Sequence, residues 1–90
     1  MSPEVERISK QLEMLAEASL AFLNEHRNKL SPEQREKLRR IARGALNRAH
    51  DLPRLVEENH DAWIKRTWKF IAAASRTIAA LLELNYVDDD

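Results

Sequence analysis

The residues of this 90-residue chain that could do chemistry are few: three histidines, two serines placed on apolar helix faces, and one Glu57-x-x-His60 pair. The i, i+3 spacing of Glu57 and His60 is that of carboxylate-bridged metal bundles. Those need a second such motif and further glutamates turned inward, and neither is present. With His50 across the neighbouring turn, Glu57 and His60 would make at most a weak surface zinc site, so no metal and no cofactor is expected. Ser19 and His26 share a helix face but stand seven residues apart, roughly 10 Å along the axis. A nucleophile and its base need hydrogen-bond reach, so the pair is not a dyad. Without cysteine there is no thiolate nucleophile, thiolate ligand or disulfide. No catalytic residue is assigned, and the sequence leans away from an enzyme.

The elements that position these residues are all helical. One glycine, three prolines and no alternating apolar pattern argue against strands. Ser2-Pro3 caps and starts a first helix, whose inward residues Val5, Ile8, Leu12, Leu15, Ser19, Phe22 and His26 recur at three- and four-residue steps to about Asn28. Leu30-Ser31-Pro32-Glu33-Gln34 combines a capping box with proline at the first helical position. A second helix therefore starts there and reverses direction. Its predicted inward face is Leu38, Ile41, Ala42, Ala45, Leu46 and Ala49, with Gly44 turned to solvent. Pro53 is predicted to end it.

From about Leu52 to Tyr86 no strong breaker follows, which predicts one long third helix. An interruption at residues 59–61, leaving a short extra helix, is the alternative. The expected fold is an all-α, antiparallel, up-down-up three-helix bundle: one domain over residues 1–87, with residues 88–90 as a frayed acidic tail.

The third helix carries an apolar arc wider than the roughly 100° of an ordinary surface helix. Trp63, Trp68 and Phe70 spread across it, and aromatic residues at the rim of a core face are typical interface anchors. Between Ser31 and Ala49 six basic residues face two acidic ones. Arg40, Arg43 and Arg48 around Gly44 are thus expected to form a basic surface suited to an acidic protein partner. Matching levels between helices brings Ser19 near Ser75 and Ala45, and His26 near Asn85. Those five residues form a candidate pocket, tight contact being the plainer reading.

Lysine and arginine total 15, aspartate and glutamate 15, and the net charge is zero. That disfavours a nucleic-acid binder relying on bulk charge. No apolar run reaches 18 residues and the first ten residues lack the pattern of a signal peptide, so no membrane is expected and the chain reads as cytoplasmic. A domain this short gains from oligomerisation. The leading expectation is a non-catalytic interaction protein of the immunity, antitoxin, adaptor or inhibitor kind, homodimeric through the third-helix aromatics. The alternative is a small-molecule or catalytic bundle built on the Ser19 pocket. The tidy caps and salt-bridge patterning of residues 1–50 would suit an engineered scaffold, whereas the second half is less idealised.

Overall fold

The computed structural model describes residues 2–88, with side chains from 2 to 84. Two helices make up the described chain, α1 over Pro3–Glu25 and α2 over Pro32–Asp88. The chain is all-α, but the three separate helices expected from the caps are corrected to two. No helix among the described residues is long and apolar enough to cross a membrane.

Local chemistry sets both starts. The Ser2 hydroxyl accepts from the Val5 N–H at 3.2 Å. At α2, Ser31 and Gln34 satisfy one another: the Gln34 N–H donates to the Ser31 hydroxyl at 3.1 Å, and the Ser31 N–H donates to the Gln34 side-chain oxygen at 2.9 Å. α1 stops at Glu25, three residues before the expected end. His26 caps it, with its N–H donating to the Phe22 carbonyl. Arg35 then closes the connection by donating to the carbonyls of Arg27 and Leu30.

α2 is not straight. Fifty-seven residues at 1.5 Å each would reach about 85 Å, yet the longest dimension of the molecule is 48 Å. The helix is kinked at Asn59, whose φ of −158° and ψ of 89° are extended. The Asn59 side-chain oxygen accepts from the Ala62 N–H at 3.3 Å, the bond an N-cap makes to the third residue of a new helix. Asp61, one turn in, lies where the helix dipole favours negative charge. Asn59 therefore divides α2 into an N-terminal arm, residues 32–58, and a C-terminal arm, residues 60–88.

Pro53 does not end the helix. It lies inside α2 and the helix runs through it. Proline removes the donor to the Ala49 carbonyl and is unfavourable there. The cost is met by packing on either side of it: Leu52 is buried and Val56 packs against the core. Tertiary burial outweighs the local stop signal, and the kink comes at Asn59.

Two apolar clusters hold the molecule. Val5, Ile8, Leu12, Leu15 and Ala16 of α1 pack with Ala42, Ala45 and Leu52 of the N-terminal arm and Ile64 and Ala74 of the C-terminal arm. Phe22, Leu23 and Leu30 close the other end with Leu38 and Leu81. Each buried leucine or isoleucine here contributes about 1.5–3 kcal/mol. The inward face of the N-terminal arm is rotated from the expected one. Leu46, predicted inward, is 49% exposed, while Gly44, predicted outward, is half-buried. The arm meets two neighbours, α1 and the C-terminal arm, and the buried arc shifts toward the second.

Candidate functional site

Phe70 is the neighbour that fills the space at Gly44. A Cβ built on Gly44 would lie 3.3 Å from the Phe70 ring and 3.2 Å from an Arg48 guanidinium nitrogen. Arg48 lies over the face of the same ring, 3.9 Å from its centre, and also donates to the Gly44 carbonyl. The missing side chain thus admits an aromatic ring of the chain's own C-terminal arm. Gly44, Arg48 and Phe70, expected to meet a partner, are engaged with one another. Arg40 and Arg43 remain exposed, Arg40 at 3.6 Å from Glu36.

The expected pocket residues do not converge. Ser19 is wholly buried, and its hydroxyl donates to the Leu15 carbonyl one turn back, at 2.8 Å. Ala45 is fully buried as well. Ser75, by contrast, is exposed, because the C-terminal arm presents Thr67, Ala74 and Leu81 inward and carries Ser75 past the edge of the core. His26 stacks against Phe22, ring centres 4.6 Å apart, with its edge 3.9 Å from Glu25. Asn85, and Tyr86 beside it, lie outside the residues whose side chains are described.

A groove of about 400 Å³ does exist, but at the other end, lined by Ser2, Val5, Pro53, Val56, Glu57 and His60. Two of its polar side chains, Ser2 and His60, are already engaged. Ser2 holds the Val5 N–H, and His60 stands 3.9 Å from Glu4 and 3.3 Å from Asp61. Among the described residues no three histidine, aspartate or glutamate side chains converge in a set able to hold a metal ion.

The C-terminal arm carries the feature that stands out. Trp63 is half-buried, with Arg66 4.9 Å from its ring centre. Trp68 is 42% exposed and Leu82 39%. Between them Ala72, Ser75 and Ala79 are also exposed. The steps 68, 72, 75, 79, 82 alternate four and three, so the five residues form one continuous stripe along the helix. None of them is charged.

α1 extends this surface. Ser9 and Glu13 share a groove with Ala49 and Pro53 of the N-terminal arm. Helix geometry puts Gln11, Met14 and Ala18 on the opposite flank of α1. All three are exposed, Met14 at 59%. Sequence reasoning found Trp68 but placed Ser75 in a pocket between the helices and did not single out Leu82. The signal that separates them is the seven-residue repeat that links Trp68, Ser75 and Leu82, on the margin of the wide arc.

No known protein family, characterised protein or solved structure matches this chain.

Proposed function

We propose that this chain is a non-catalytic interaction protein that acts as a homodimer through the exposed stripe of its C-terminal arm. The observation that carries the reading is Trp68. A tryptophan 42% exposed, in line with a 39% exposed leucine and with no charge between them, is a costly surface for a monomer and a typical anchor for an interface.

The reading takes α1 and the two arms of α2 as an antiparallel, up-down-up bundle of three helical segments. Two sets of contacts support that arrangement. Val5 clusters with Leu52 and Ile64 at one end, and Phe22 clusters with Leu38 and Leu81 at the other. The C-terminal arm then runs alongside α1, and their outer flanks make one face. The exposed Arg40 and Arg43 are what is left of the basic surface for an acidic partner.

Sedimentation velocity at micromolar to 100 µM concentration tests the reading. The expected result is twice the chain mass, reduced to one chain mass by Trp68→Glu with helix content unchanged by circular dichroism. A monomer throughout that range, or a Trp68→Glu dimer as tight as the wild type, overturns it.

A further inference from the structure

The stripe has a symmetry of its own. Trp68 stands seven residues before Ser75 and Leu82 seven after it, while Ala72 and Ala79 are three before and four after. A two-fold axis crossing α2 at Ser75 would therefore bring Trp68 of one copy against Leu82 of the other, twice. Ala72 and Ala79 of the two copies would come within one residue of the same level. The average spacing of 3.5 residues is that of a coiled-coil seam, and an interface of this isologous kind must be self-complementary.

The geometry points to a second copy of this chain as the occupant of the stripe, docked antiparallel, helix against helix, with the dyad at Ser75. This rests on the homodimer reading above and specifies its geometry. The side-chain sizes fit. Alanine and serine at the centre let the two axes approach to the short end of the usual 8–10 Å, and the large residues at either end cover the partner's small ones. From residue 68 to 82 the seam is about 21 Å long, and Met14 and Ala18 of α1 widen it on one side.

The rim supplies charge complementarity. Lys69, Arg76 and Glu83 each follow a seam residue by one position and border the stripe on the side away from α1. In the antiparallel pairing Lys69 comes within two residues, about 3 Å along the axis, of the level of Glu83 of the second copy, within reach of two long side chains, so two opposite-charge pairs form per dimer. In a parallel pairing the dyad runs along the helices and sets this rim against the partner's opposite rim, so the Lys69 to Glu83 pairs do not form. Arg76 meets its own counterpart near the dyad, the one like-charge contact of the antiparallel arrangement.

A charge-swap series tests the register with the chain in its native fold, because Lys69 and Glu83 are exposed and about 21 Å apart on one helix. Glu83→Lys is expected to weaken the dimer about tenfold, from two surface pairs turned repulsive. Adding Lys69→Glu is expected to restore it, and Arg76→Gln is expected to tighten it. Ser75→Cys gives an independent reading in a chain with no other cysteine. Mild oxidation is expected to link two copies at least tenfold faster than with Arg43→Cys on the N-terminal arm. If the wild type is dimeric but the double swap fails to restore affinity, or Ser75→Cys links no faster than the control, the dyad at Ser75 is wrong and the homodimer stands. A monomeric wild type removes both.

Discussion

The Arg48 guanidinium lies 3.9 Å above the centre of the Phe70 ring, fastening the N-terminal arm of α2 to its own C-terminal arm. Such a contact adds about 0.5–1 kcal/mol at a partly exposed site, and Gly44 beneath it provides the room.

That room is limited, and substitutions at Gly44 should show it in steps. Alanine gains about 1 kcal/mol of helix propensity, but its Cβ would sit 3.2–3.4 Å from Arg48 and Phe70. The net change in urea-unfolding free energy is expected within about 1 kcal/mol of zero. Leucine cannot fit without moving the ring and should cost about 1–3 kcal/mol. Equal tolerance of both residues would show that the ring is not held there.

Asn59 caps the C-terminal arm through its bond to the Ala62 N–H. Asn59→Ala is expected to destabilise the chain by about 1 kcal/mol, and Asn59→Asp to retain most of the stability. Thermal or urea unfolding followed by circular dichroism separates them. Identical behaviour of the two variants would mean the cap contributes nothing.

Ser19 tests whether the centre of the molecule is filled. Its hydroxyl bonds back to Leu15 within a fully buried site. Ser19→Leu should lose about 1–3 kcal/mol through overpacking, while Ser19→Ala should change stability by under about 1 kcal/mol. Marked stabilisation by leucine would instead indicate unfilled space between the helices.

Pro53 imposes a local penalty that packing overrides. Replacing it with alanine returns a donor to the Ala49 carbonyl and removes the ring clash. A gain of about 1–3 kcal/mol is expected. Pro53 is half-buried and lines a groove with Val5 and Val56, so apolar surface lost with the ring offsets part of the benefit, and a net loss of stability would show that burial to be the larger effect.

Much of the helical content was legible because its signals are local. Ser2-Pro3 and the Ser31 to Gln34 box announce helix starts through bonds between residues three apart. What misled was also local. Pro53 reads as a stop because its cost is visible in the sequence, while the burial of Leu52 that compensates it depends on residues near the start of the chain. The kink falls instead at Asn59, within the interruption at residues 59–61 that stood as the alternative, where the sequence offers only a modest cap. The face assignments failed for a related reason. A helical wheel fixes the angle between Gly44 and Leu46 but not which of them meets a second neighbour, and Phe70, 26 positions later, decides that. The same ambiguity hid Ser75 and Leu82, which lie on an apolar arc too wide for two neighbours to cover.

Asn59 has one more consequence. The kink in α2 is concentrated in a single non-helical residue, so straightening it would turn the two arms into one rod of about 85 Å. Opened in this way, each arm could recover its lost burial only from the complementary arm of another opened chain, with every contact of the closed form repeated between molecules. That is arm exchange, and a hinge this short invites it. A helix-favouring residue at 59 would therefore do more than lower stability. It would favour interlocked chains formed on refolding at high concentration, which part slowly on dilution because separating them requires unfolding.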